Sequence, residues 1–483
     1  MTHIDTSRSR TPHPSRFLTR DDLQAALEYA KRVSVGGGDL SVWVSSRAVG
    51  YVRWARNSII AAGETTDHRL FLTREIRSAN GSAEINYVDE DSIRNAVKRA
   101  EASLLRESEG REGESTFRTR ERYDLAKLWS DETAALNADH RATLYEQLIG
   151  PAKAARLLSA GYIEVRFGGD GYVNTKGLFA YAPVTRAEYS VTVRNEEGTG
   201  SGWAGVDNMD WRKIDGAVLS AVALEKCKTS ANPVAIEPGR YTVILEPQAV
   251  ADLTRPMVVS FTDREGAEQG GPWKNGAITH GQRLSQLFPH VNTGQGANSD
   301  ALTKIAQRVI DKRLTISVDP MDPEMPLVPF DIMGSPVRAT NWIEHGVLRS
   351  LAYRRWYGLR NLNTTDPLVN TYAFRMSGGD TPMSTMIETM KRGLLVTRLV
   401  NVRVIEDNSL LCSGTTSDGL WLIENGKITK AVKNFRFRES PLFALNNVVS
   451  IGPQARVYMK HAPAIVPSLV IRDFSMNSLI DAV

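Results

Sequence analysis

Cysteine and histidine are scarce: the 483 residues include 2 cysteines and 8 histidines. Cys227 and Cys412 are too far apart for a CxxC zinc or redox pair, and two cysteines cannot build a disulfide framework. A reducing, cytoplasmic setting is the resulting expectation. His3, His13, His68, His140, His280, His290, His345 and His461 are nowhere closer than ten positions, so the chain holds no HExxH or HExxxH zinc helix. Long apolar runs are missing too. No stretch reaches the roughly 18 residues of a membrane helix, and the polar N-terminus has no apolar secretion core. Net charge is small: of the formal +4, Arg8, Arg10, Arg16 and Arg20 against Asp5 supply +3, leaving a nearly neutral body with little to bind nucleic acid. What is present is ordinary for a globular chain, with 42% hydrophobic and 24% charged residues. Its length calls for two or three domains.

The periodicities predict an α+β protein. A first helix follows a basic, flexible tail over 1–18, with Leu23, Ala26, Leu27 and Ala30 on one face and Thr19 and Asp22 as a capping pair. From Leu40 to Val88 the period is two, predicting an antiparallel meander with Asn80-Gly81 as a hairpin turn. Asp89 or Asp91 opens a second helix, the stretch 106–122 reads as a charged solvated loop, and further helices fall at 138–159, kinked near Gly150-Pro151, and around Ile214–Leu224. Short strands are expected near Ile163–Phe167 and Glu188–Val193. The proline-rich, aperiodic segment Thr229–Gly239 sets the main boundary, giving an N-terminal α/β domain over 19–230 and a β-rich, barrel-like or sandwich domain over 231–483. Strands there are expected at 240–245, 314–318, 336–340, 346–353, 394–405, 419–423, 427–438 and 455–459, with short helices near 248–258, 300–312 and 383–392. Ile343–Leu348 and Ile423–Ile428 share a pattern in which His345-Gly346 and Asn425-Gly426 fit two-residue hairpin turns.

Few residues invite chemistry. Gly36–Gly38 and Gly168–Gly171 read as turns, since neither glycine run opens a helix as a phosphate cradle requires. Cys412 would be a nucleophile only with a base such as His280, His290 or His461 beside it, and otherwise is a small buried hydrophobe. Asp319, Asp322 and Glu324 could hold a cation, although they lack the alternating spacing of a calcium loop. The run Lys427–Arg438 alternates basic and apolar residues, as a strand with one wet, basic face does.

The order of several phrases resembles the TldD/PmbA family, also called the modulator of DNA gyrase family. In the first half these are Leu23–Arg32, Val52–Ile59 and Asp91–Val97; in the second, Phe330–Leu348, Arg392–Thr397 and Gly419–Ile428. The resemblance covers nearly the whole chain from about residue 20. It implies a two-domain subunit in a heterodimer of TldD-like and TldE-like chains. The TldD-like chain holds zinc on an HExxxH helix and cleaves unfolded peptides inside a chamber. That zinc helix follows the first strand of the C-terminal domain, here the stretch after Arg240–Leu245, and residues 248–262 contain neither histidine nor glutamate. The sequence therefore resembles the TldE-like subunit, and no catalytic, cofactor-binding or metal residue is carried over.

The resulting expectation is a non-catalytic partner of a TldD-like metallopeptidase, without zinc of its own, helping to hold unfolded peptides for proteolysis or natural-product maturation. Two alternatives stand beside it: a regulator of a topoisomerase or toxin system acting through the basic tail, and a self-sufficient hydrolase using Cys412 or a site formed in the dimer.

Overall fold

Thr19 starts the first helix as its sequence predicts. In α1 (Arg20–Val33) the Asp22 amide donates to the Thr19 hydroxyl, and the Thr19 amide donates back to the Asp22 carboxylate at 2.8 Å. The computed structural model describes residues 17–76, 79–107, 117–119, 121–275, 302–460 and 462–480. Most of the basic tail, His280, His290 and His461 therefore lie outside the described residues.

The meander consists of β1 (Asp39–Ala55), β2 (Ser58–Ile76) and β3 (Ala79–Ile85). The tight turn between β1 and β2 falls at Arg56-Asn57, with φ of 50° and 60°. Asn57 donates to the Leu157 carbonyl at 2.8 Å and accepts from the Ser159 amide at 2.7 Å, so the turn is tied to the neighbouring strand. Asn80-Gly81 is not a turn; it lies inside β3, opposite Glu75 and Arg74. Gly81 instead lets helix α2 (Glu90–Glu107) approach closely, since a Cβ there would sit 2.0 Å from the Ala100 carbonyl. Asp89 caps α2 by accepting from the Ser92 amide at 2.8 Å.

Strands β4 (Leu158–Asn174), β5 (Phe179–Arg194) and β6 (Ser201–Asn208) complete an antiparallel sheet of order β3-β2-β1-β4-β5-β6. Gly168–Gly171, expected as a turn, is part of β4: a Cβ on Gly168 would lie 1.9 Å from the Ser46 carbonyl of β1, so tight strand packing explains the glycine. The remaining helices of this half are α3 (Asp131–Ala134), α4 (Ala138–Ala154), which continues through Pro151, and α5 (Gly216–Thr229).

Alternation along the strands makes this sheet two-sided. Val42, Val44, Val52 and Trp54 of β1 share one face, covered by α1 and α2 at one end and by α4 and α5 at the other. The opposite face carries Trp43 and Tyr172, which pack with Phe330 of the second half. The end of the charged stretch 106–122 also departs from its expected solvation. Phe117 and Arg118 are buried, and Arg118 donates to Asp366 at 3.0 Å, strapping one half to the other.

The second half begins with β7 (Gly239–Leu245) and α6 (Pro247–Ser260), which is followed by α7 (Arg264–Gln269). Pro256 does not end α6. Burial of Leu253, Met257 and Val258 outweighs the roughly 3 kcal/mol a helical proline costs. Of the helix expected near 300–312, residues 303–312 are irregular because they lie along a hairpin: the Ala306 amide donates to the Leu348 carbonyl at 2.8 Å, the Leu348 amide donates to the Gln307 carbonyl, and Arg308 bridges Val347.

The strands that follow are β8 (Ile316–Val318), β9 (Thr340–Glu344), β10 (Val347–Leu348), β11 (Phe374–Met376), β12 (Arg392–Glu406) and β13 (Leu411–Glu424). They are completed by β14 (Lys427–Ala431), β15 (Phe435–Glu439), β16 (Val448–Val457) and β17 (Ala464–Leu479). The single strand expected at 427–438 is two, broken where the Val432 amide turns to the Leu420 carbonyl at 2.8 Å. His345-Gly346 and Asn425-Gly426 are the predicted hairpin turns, all four residues with positive φ. The sheet order β17-β15-β13-β12-β7, with β7 pairing back onto β17, closes a ring of strands. Barrel-like closure is thus observed within a larger mixed sheet, in an α+β molecule with an antiparallel N-terminal sheet.

Candidate functional site

Helix α6 stands where the resemblance places a zinc helix. Entered from the buried strand end Val243–Leu245, it turns Ala249, Val250, Leu253, Met257 and Val258 into the core. Gln248 and Asp252, one turn apart, share another face. The Gln248 carboxamide donates to the Tyr458 carbonyl and accepts from the Tyr458 amide, both at 3.1 Å, and also donates to Asp252 at 2.9 Å. The other Asp252 oxygen accepts from the Leu399 amide at 3.0 Å. Asp252 keeps a little accessible surface in the seam between the two halves. Burial pushes its carboxyl up to about 6, opposed by the Arg398 guanidinium.

Across that seam the first sheet presents charge. Glu164 and Glu188 are direct cross-strand neighbours, as are Arg166 and Arg186, an arrangement that is repulsive row by row. Attraction runs along each strand and on the diagonals: Arg166 meets Glu164 and lies 3.8 Å from Glu188, and Arg186 lies 3.2 Å from Glu188 and 3.5 Å from Asp207. Arg456 of β16 completes the set, 2.9 Å from Asp207. Three carboxylates thus face three guanidinium groups, and Glu164, Glu188 and Asp207 are all buried. The Tyr458 hydroxyl donates to Glu188 at 3.3 Å, and burial together with that carboxylate pushes the phenol up to about 12. Beside it Arg398 lies 4.2 Å over the Trp203 ring and 3.2 Å from Asp418, which accepts from the Ser201 hydroxyl at 2.6 Å.

This arrangement neutralises buried charge and fixes the two halves against each other. Among the described residues Glu164, Glu188, Asp207 and Asp418 each have a guanidinium within ion-pair distance, and Asp252 accepts two hydrogen bonds. Zinc does not fit α6: Asp252 is its one carboxylate, and both oxygens are already accepting hydrogen bonds. Among the described residues no three His, Cys, Asp or Glu side chains come together as a metal site.

The residues singled out from sequence are dispersed. Cys412 is fully buried, its thiol donates to the Leu410 carbonyl, and burial pushes it up to about 11. His345 occupies its hairpin turn. Asp322 and Glu324 pair with Arg375 at 2.7 and 2.9 Å, and Asp319 accepts from the Met321 amide, so the acidic cluster is internally satisfied. The seam itself was missed, although Glu164-Val165-Arg166 and Arg186-Ala187-Glu188 carried the signal: charges two apart inside otherwise apolar strands.

Residues 238–478 match the family model described as the PmbA/TldA metallopeptidase C-terminal domain. The whole fold is similar to TldE from Thermococcus kodakarensis, at 15% identity and a TM-score of 0.75 over 95% of this chain and 100% of that one. It is also similar to a candidate modulator of a DNA gyrase from Thermotoga maritima, at 14% identity and a TM-score of 0.74 over 95% and 100% of the two chains. A protein of the same description from Bacteroides thetaiotaomicron is 18% identical, with a TM-score of 0.72 over 95% and 99%. None of the curated proteins matches the sequence.

Proposed function

The chain belongs to the TldD/PmbA family, and from that premise we propose that it is the TldE-like, non-catalytic partner of a TldD-like zinc metallopeptidase. In this role it completes a chamber and holds unfolded peptide or peptide-like substrates there. The carrying observation is α6, which follows the first strand of the C-terminal half, as the family's zinc helix does, and offers no histidine and no free carboxylate. Support also comes from the fold match to TldE along nearly the whole chain. A self-sufficient cysteine hydrolase is disfavoured by a buried thiol whose proton is held to about pH 11.

Co-expression with a TldD-like chain tests the proposal. A stable complex with zinc lost on mutating the partner's histidines, and peptide cleavage that requires both chains, is the expected result. Zinc stoichiometric with the isolated subunit, or cleavage by it alone, would overturn the reading. The descriptions of two similar structures as candidate modulators of DNA gyrase favour a second reading, regulation of a topoisomerase. That activity should vanish when residues 1–18 are deleted.

A further inference from the structure

Away from the seam, the outer face of the ring carries arginines with no carboxylate partner. The β12–β13–β15 register puts Arg403, Ser413 and Arg438 in one row and Val400, Thr415 and Arg436 in the next. Along β15 the alternation is strict: Phe435, Phe437 and Glu439 point inward and are buried, while Arg436 and Arg438 point outward and are exposed. None of Arg403, Arg436 and Arg438 makes an ion pair among the described residues, although Arg398 on β12 and Arg456 on β16 are both paired. Arg436 and Arg438 stand roughly 6.5 Å apart along the strand, and like charges that close repel. Between the rows runs an open groove of about 520 Å³ lined by Arg403, Arg436, Ser413, Thr415, Asn401 and Gly414. Its walls thus offer guanidinium forks and hydroxyl donors, with no acid to quench them.

We propose that this groove binds the carboxylates of an acidic, extended peptide segment. The ligand class deepens the peptide-holding function proposed above and rests on it. A planar guanidinium donates two parallel hydrogen bonds to a carboxylate, and the hydroxyls of Ser413 and Thr415 supply further donors. Beyond Leu399, β12 pairs among the described residues with β13 alone, so there its other edge offers main-chain groups beside the arginines. An extended peptide pairs with such an edge. Register shifts between Val400 and Arg403 and between Val404 and Glu406 restrict that pairing to a few residues. Nucleic acid is the poorer match, because no aromatic side chain lines the groove to stack a base.

The test uses the full-length chain without a partner. Fluorescence anisotropy compares a short glutamate-rich peptide with its glutamine counterpart, inorganic phosphate and a single-stranded oligonucleotide acting as competitors. The expected result is salt-sensitive binding of the acidic peptide only, weakened about tenfold for each of Arg403→Gln and Arg436→Gln, which line the groove, and less for Arg438→Gln, which stands beside Ser413 at its margin. All three side chains are exposed, so an unchanged circular dichroism spectrum and melting temperature certify the folds. Equal affinity in wild type and variants would overturn the proposal. So would oligonucleotide or phosphate binding through the same arginines more tightly than the peptide. Because no partner is present, failure to find a TldD-like subunit leaves this result standing, and absence of peptide binding leaves the pairing standing.

Discussion

Asp252 is the side chain whose titration most directly reports the seam. Its folded-state value of about 6 lies above the usual carboxylate range, so the folded protein holds the proton more tightly than the unfolded chain. Between about pH 4 and 6 its contribution to stability therefore falls as pH rises, by on the order of 2 kcal/mol. Melting temperatures of wild type and Asp252→Asn, compared at both ends of that window, should show the variant gaining relative stability at the higher pH; a pH-independent difference would contradict the assignment. Cys227 and Cys412, both buried and both pushed up to about 11, should resist alkylation near pH 8 until the protein unfolds, as mass spectrometry of labelled protein would show. Single residues were legible when their role was local, as with the Thr19 cap. They were illegible when the partner came from the other half of the chain. The charges of Glu164 and Arg186 are plain in the sequence, but the Arg456 that meets their neighbours is hundreds of positions away.

Hairpins are the elements in which local chemistry and structure agree most closely. At Gly346 and Gly426 φ is 76° and 77°, and an added Cβ would lie 2.4 Å from the Ile310 carbonyl and 2.6 Å from the Glu388 carbonyl. Gly346→Ala and Gly426→Ala should each lower stability by about 1–3 kcal/mol, while Asn425→Gly stays within about 0.5 kcal/mol; urea unfolding distinguishes these outcomes. Elsewhere tertiary packing overrode the local signal. Asn80-Gly81 has good turn chemistry yet runs as strand against α2, and 303–312 gave up its helical spacing to lie along the β9–β10 hairpin. Strand β17 was absent from the expected set because Ala464–Ile471 is buried on both faces, leaving a continuous apolar run with no alternation to read.

For the molecule as a whole, the charged face of the first sheet joins the two halves, and Arg456 is its hinge pin from the second half. Removing that cation in Arg456→Met leaves Asp207 short of a partner in a buried setting, which should cost about 3–5 kcal/mol. Calorimetry should then show the two halves melting separately, where wild type gives one transition. The overall plan of an α+β first half containing an antiparallel meander, followed by a β-rich second half, was readable from period and composition; that the helices all cover one face of the first sheet was not. Barrel-like closure was among the expectations too, but which strands close the ring was not, because that depends on pairing between strands far apart in sequence. That closure has a consequence for synthesis. Strand β17 pairs with β7, β11, β15 and β16 but follows all of them in the chain, so it leaves the ribosome after its partners have waited with open edges. The first sheet, two sets of sequential strands joined by the β1–β4 pair, can form during translation, whereas the second half stays vulnerable to chaperone capture and misassociation until β17 emerges.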